Sequence, residues 1–239
     1  MDLAAWFKQL YATTGINLTI AYDPFDRARF LHGLLVTIEL SAITIVASIV
    51  IGVIGAWLQG SRLVWTRRIV AGYIQFFRNT PSLAQLYFLF FGLSSVLPVL
   101  IGGFTWVCIS LSFFAGSFNV EIFRSGIEAV PRATIEAAES LGYTRLKAYT
   151  RIVLPLAIRV CLPALNNNLI NLVKATTLAY AVAVPELLYV SAQIWSDNTN
   201  VPEMMVVLLV VYAGLVGLLV VFMHALERRL RLPGYHRPV

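Results

Sequence analysis

Asn167, Asn171 and Lys174 stand at i, i+4 and i+7 in the stretch LNNNLINLVKATT, and Thr177 continues the series. At the α-helical repeat these four share one face. Amides, an ammonium and a hydroxyl bind polar solutes or each other, but they break no bonds by themselves. The chemistry on offer is therefore recognition. Catalysis, metals and nucleotides each lack their residues. His32, His224 and His236 are far apart, with no metal-ligand spacing. Cys108 and Cys161 sit singly in apolar sequence, as structural thiols do. No Ser/His/Asp set converges in any way the sequence shows. There is no G-x-x-x-x-G-K-[ST] phosphate loop, so this chain is not expected to bind ATP.

The elements carrying these groups must be membrane spans. Of 239 residues, 59% are apolar and 13% charged, against roughly 45–50% and 25% in ordinary soluble domains. A buried amide or ammonium in hydrocarbon is costly unless paired or wet. That makes the strip of Asn167, Asn171, Lys174 and Thr177 a candidate solute path; hydrogen bonding between helices across a dimer is the structural alternative. The net charge of +6 resembles that of a nucleic-acid binder. Here, however, arginines cluster at the ends of apolar runs, the positive-inside pattern. No nucleic-acid partner is expected.

Five apolar runs are expected to span, at about residues 31–58, 82–96, 104–127, 156–184 and 204–223. Arg62, Arg67, Arg68, Arg78, Arg124, Arg132, Arg145, Lys147, Arg151, Arg159, Arg228, Arg229, Arg231 and Arg237 fall on one side of this arrangement. Lys8, Arg27 and Arg29 fall on the other. The bias puts the amino end outside and the carboxyl end inside. The domain reading is an outer tail (1–30), a membrane domain (31–227) with an inner elbow at about 132–155, and a basic inner tail (228–239).

Residues 1–30 have no continuous apolar run ending in a cleavage site, so they do not read as a signal peptide. A short amphipathic helix is expected at about 3–11, and the Asn17-Leu18-Thr19 sequon is read as chance. In the first span Ser41, Thr44, Ser48, Gly52 and Gly55 form a small-residue stripe for close helix packing. Glu39 is expected near the outer boundary. The segment QGSRLVWTRR reads as a basic loop, and Asn79 or Thr80 reads as the cap of a helix led by Pro81. Glu121 and Glu128 are spaced to pair with Arg124 on one helix. This inner helix end is either a solvated terminus or part of an inner gate.

The elbow, EAAESLGYTRLKAYTRIVLP, carries Glu136, Glu139, Arg145, Lys147 and Arg151 between two apolar runs. Charges so dense do not rest in hydrocarbon. Glu136 to Leu141 favour helix, Gly142 can supply the left-handed stop, and small Ala137 and Ala138 admit another surface. The spacing is Glu136-Ala137-Ala138, three residues, Gly142, nine residues, Ile152, one residue, Leu154-Pro155. It resembles the EAA loop of the membrane subunits of bacterial ABC importers. FFRNTPSLAQL, with Arg78, Thr80, Pro81 and Gln85, resembles the signature of the polar amino acid uptake branch.

The resemblance implies an all-α polytopic membrane protein of five transmembrane helices, with the type I importer permease architecture, in a bacterial inner membrane. It implies that Glu136, Ala137, Ala138, Leu141, Gly142 and Arg145 couple to a cytoplasmic ATPase. ATP and Mg would then sit on two such ATPase subunits. A second permease subunit, identical or homologous, and a periplasmic substrate-binding protein complete the implied assembly. Gln85 and Glu121 join the candidate path. Ala175 stands where the family often has an acid, so the partner permease is an alternative holder of the solute. An ion-gradient-driven secondary transporter would also use a polar strip. It has no use for the elbow, and no internal repeat of the kind many such transporters show is evident.

Overall fold

The computed structural model describes residues 3–96 and 101–230. Pro98, Arg231, His236 and Arg237 lie outside the described residues. Regular structure among the described residues is helical throughout. In chain order the helices are α1 (Leu3–Thr14), α2 (Thr19–Tyr22), α3 (Pro24–Gln59), α4 (Val64–Asn79) and α5 (Ser82–Leu93). They continue as α6 (Gly103–Glu128), α7 (Arg132–Ser140), α8 (Arg145–Val182), α9 (Leu187–Asn198) and α10 (Val201–Leu230). Helices α3, α6, α8 and α10 are long and apolar enough to cross a membrane, and α5 is a shorter apolar helix. Helix α5 changes to a π-helical turn at Phe88–Leu93, and α8 has another at Tyr149–Val153.

Boundaries move where capping chemistry outweighs hydropathy. The first span starts at Pro24, seven residues ahead of the expected 31. Pro24 suits a first helical position, and Asp23 Oδ1 accepts from Phe25 N–H at 2.8 Å. Charged Asp26 and Arg29, which suggested a tail, pair with each other inside the first turns. The expected basic loop is largely helix. In α4, Val70 and Ile74 are buried while Trp65, Arg68 and Ile69 are exposed, a one-sided pattern that tolerates arginines. Thr80 donates to Phe76 O at 2.6 Å and so closes α4. Helix α8 begins eleven residues before the expected 156, and α10 runs on through His224 and Glu227.

Among the described residues two compact units are distinguished, 3–44, 82–96, 101–111 and 172–217 in one and 45–81, 112–171 and 218–230 in the other. In the first, Phe30, Leu187, Val190, Ile194 and Met204 form the core. The expected tail is tied down here. Asn17 N–H donates to Glu203 Oε1 at 2.9 Å, and Asn200 Nδ2 donates to Asn17 O at 2.8 Å. Asn17 and Thr19 are buried, so the sequon is a structural element. Glu186, fully buried, caps α9 by accepting from Leu188 and Tyr189 N–H and takes a further bond from Tyr212 Oη at 3.0 Å.

The second unit uses the small-residue stripe. A Cβ on Gly52 would overlap Asn119, one on Gly55 would overlap Val120, and one on Gly116 would press on Ile51. Those glycines let α3 and α6 approach closely, and dispersion between the helices follows from the fit. Leu162, Leu165, Leu169 and Met223 form a second apolar cluster there.

Candidate functional site

The elbow is two helices joined by a defined stop. Gly142 N–H donates to Glu139 O at 2.9 Å, and Tyr143 N–H reaches back to Ala138 O at 3.1 Å. This Schellman pairing needs a left-handed residue past the helix end, and Gly142 supplies it at φ +79°. Thr144 opens α8, its side chain accepting from Lys147 N–H at 3.4 Å.

Burial gives the elbow two faces. Ala138 is 2% exposed and Ala148 is buried; nearby Val130, Val153 and Ala157 form a small cluster with Ile127 and Ile135. Outward stand Leu141 at 80% and Leu146 at 73% exposure, among exposed Glu136, Ala137, Glu139, Arg145 and Lys147. Of the two small residues expected to receive a partner, only Ala137 is open. Ala138 faces its own chain, because the inward stripe of α7 needs a residue at that position.

Asn167, Asn171 and Lys174 are all exposed along α8, and Thr177 is half-buried. From Thr176 to Val182 the helix tightens to a 3-10 form, and Thr177 turns its hydroxyl back to Lys174 O at 2.9 Å.

Asn168, which the sequence pattern did not single out, bonds inside the protein. It donates to Asn119 Oδ1 at 2.8 Å and to Ala115 O at 3.0 Å, while Asn119 Nδ2 donates to Ser48 Oγ at 3.2 Å. The signal was three consecutive asparagines in an apolar run, which places them on different helix faces.

Glu121 belongs to a charge chain. Arg124 bonds Glu121 at 3.2 Å and Glu128 at 2.8 Å, as the spacing requires. Arg78, from the Arg-Asn-Thr-Pro segment, approaches Glu121 at 3.9 Å with its guanidinium over the Phe118 ring. Gln85 is buried in α5.

Four long apolar helices and a charged elbow between two of them define a multi-span membrane protein. Residues 48–232 match the family described as the binding-protein-dependent transport system inner membrane component. The chain belongs to that family and is a multi-pass inner-membrane protein. It is 32% identical over 185 residues to the probable amino-acid ABC transporter permease protein PatM of Vibrio harveyi, covering 77% of this chain and 83% of that one. It is 31% identical over 195 residues to the octopine transport system permease protein OccM of Rhizobium radiobacter, covering 75% and 80%. Among solved structures, an amino acid ABC transporter crystallised with histidines superposes with a TM-score of 0.79 at 25% identity, covering 96% of this chain and 99% of that one. An inward-facing MetNI methionine ABC transporter superposes at 0.70 and 19% identity, over 88% and 99%, and shares the fold. The architecture is that of type I ABC importer permeases.

Proposed function

We propose that the chain is the translocation subunit of an ATP-driven amino acid importer, gripped by its ATPases at the elbow. The observation that carries this is the open pair Leu141 and Leu146, held on either side of a fixed Gly142 stop. Large apolar side chains exposed among charges mark a surface that another protein covers. Glu136, Ala137, Leu141, Gly142 and Arg145 make the contact; Ala138 anchors α7 from behind. The amino end lies outside and the elbow inside, following the arginine bias.

A second permease subunit, identical or homologous, encloses the path. Two cytoplasmic ATPases carry ATP and Mg, and a periplasmic binding protein delivers the solute. Asn167, Asn171, Lys174 and Thr177 are the candidate polar face of the path, and Gln85 and Glu121 are further candidates for it. The chain itself does no chemistry. Its two access states are populated according to their different contacts with the ATPases and the solute. The amino acid assignment draws on the names of relatives at about 30% identity.

Leu141→Cys in the assembled complex tests the reading. A bifunctional thiol–amine reagent should link it to the co-purified ATPase, and Leu141→Asp should release the ATPase during purification. Links that reach only lipid or the second permease, or modification of the cysteine from the outer side of sealed cells, would sink it.

A further inference from the structure

Glu39 is an exposed carboxylate inside the apolar helix α3, between Ile38 and Leu40. It lies fifteen residues on from Pro24 and twenty short of Gln59, about 22 Å and 30 Å along the helix axis. Among the described residues it enters no ion pair. A bare carboxylate on a span is costly in lipid, and such groups face water, a cation or a neighbouring subunit.

What Glu39 faces is a cavity of about 350 Å³, which it lines with Val36, Gly103, Phe104, Ala183 and Pro185 among others. That volume lies at the low end of the roughly 300–1,000 Å³ of small-molecule pockets. Glu39 is the one charged group among the described lining residues, and none of the six path residues read from the sequence lines this cavity.

The walls are built. Ala183 holds a left-handed conformation at φ 55°, which a non-glycine residue keeps only when its surroundings enforce it. Val184 N–H donates to Ala179 O at 3.2 Å and Glu186 N–H to Val184 O at 2.7 Å. The buried Glu186 carboxylate then fixes the next helix start through Leu188 and Tyr189. Gly103 leaves room for the turn, since a Cβ there would stand 3.1 Å from Val182 O. A carboxylate and the ring of Phe104 in one apolar cavity suit a cationic nitrogen, which gains from the charge and from an aromatic face.

We propose that Glu39 and this cavity form a subsite for the cationic nitrogen of the transported solute, an ammonium or guanidinium, so that net-cationic and zwitterionic amino acids are favoured over net-anionic ones. The proposal rests on the importer reading above. The same chemistry could come from a basic side chain of the second permease subunit, and the experiment separates the two.

The complete complex, with its ATPases and second permease, is reconstituted in proteoliposomes. Uptake of radiolabelled arginine, lysine, glutamine and glutamate is measured, driven by ATP and saturating binding protein. Glu39→Gln should raise the half-saturation concentration tenfold or more for the cationic or neutral amino acid that the parent complex carries. Glu39→Asp should recover part of the loss, and ATP hydrolysis and subunit stoichiometry should stay unchanged. In a parallel measurement, Glu39→Cys should react with a water-soluble cationic thiol reagent and be shielded by the carried amino acid. Unchanged uptake, a cysteine the reagent never reaches, or a variant whose permeases separate would each overturn the subsite. A parent complex that carries none of the four despite hydrolysing ATP would instead count against the amino acid reading itself.

Discussion

Asn168 donates its amide to Asn119 Oδ1 across 2.8 Å, and through Asn119 it reaches Ser48 on a third helix. Asn119 is fully buried. Polar bonds between membrane helices contribute about 0.6 kcal/mol on average and about 1.7 at most. Asn119→Ala removes two of them and should lower stability by about 1–2 kcal/mol. Asn167→Ala, one residue from Asn168 but exposed, should stay within about 0.5 kcal/mol. Thermal unfolding of the two variants in detergent checks the contrast; equal losses would refute it.

Alanine should be costly at Gly126 and tolerated at Gly214. A Cβ on Gly126 would overlap Cys161 Sγ and press on Ala157 O, and Cys161 is already committed to Ile122 O at 3.2 Å. Overpacking there should cost about 1–3 kcal/mol. Nothing lies within 4 Å of the Cβ position on Gly214. Gly214→Ala should therefore be neutral or stabilise by up to about 1 kcal/mol, through helix propensity. Melting temperatures in one detergent decide it.

At Gly142 the expected loss is in coupling. The left-handed φ costs a non-glycine residue about 1–2 kcal/mol, so Gly142→Ala should loosen the elbow without unfolding the spans. ATP hydrolysis should continue while solute carried per ATP falls severalfold. Gly142→Pro also deletes the bond to Glu139 O and should be worse. Paired hydrolysis and uptake assays in proteoliposomes test both, and an unaltered ratio in each variant would refute the account of the stop.

Glu186 should impose a pH dependence on stability. Burial holds its carboxyl above the ordinary 4.5, against the pull of hydrogen bonds from Leu188, Tyr189 and Tyr212. Because the folded value is raised, the stabilisation tied to the bound proton is full below about pH 4.5 and is lost as pH rises through the raised value. Glu186→Gln keeps a neutral side chain throughout. Its melting temperature relative to the parent should therefore climb from about pH 4.5 toward neutrality. A difference that stays flat with pH would show that burial does not govern this carboxyl.

Much of the architecture was legible from period and charge. The Gly142 stop, the Glu121–Arg124–Glu128 pairing and the glycine stripe all follow from spacing along one helix, where geometry is set by the chain itself. Misreadings arose where a side chain answered to something distant in sequence. Asp26 and Arg29 looked like tail residues because their mutual pairing, and the bond from Arg29 to Asp197 at 2.8 Å, are invisible to hydropathy. Helix α4 was hidden because its arginines masked an apolar face only one side wide. Asn168 and Asn167 are adjacent and chemically identical, and only packing tells the half-buried, hydrogen-bonded one from the exposed one. The cavity beside Glu39 draws its walls from three separated segments, an arrangement no local pattern encodes.

The π-helical turn at Tyr149–Val153 joins the elbow's second helix to the span without any loop. Such a turn holds one residue more than an α-turn would, and one residue is worth roughly 100° of helical rotation. Arg145 and Lys147 thus owe their compass bearing to a single inserted position. Excising one residue there would swing them a little over a quarter of the way round the cylinder relative to the span that follows. The bearing of the cationic rim is consequently a setting of chain length, adjustable separately from its composition.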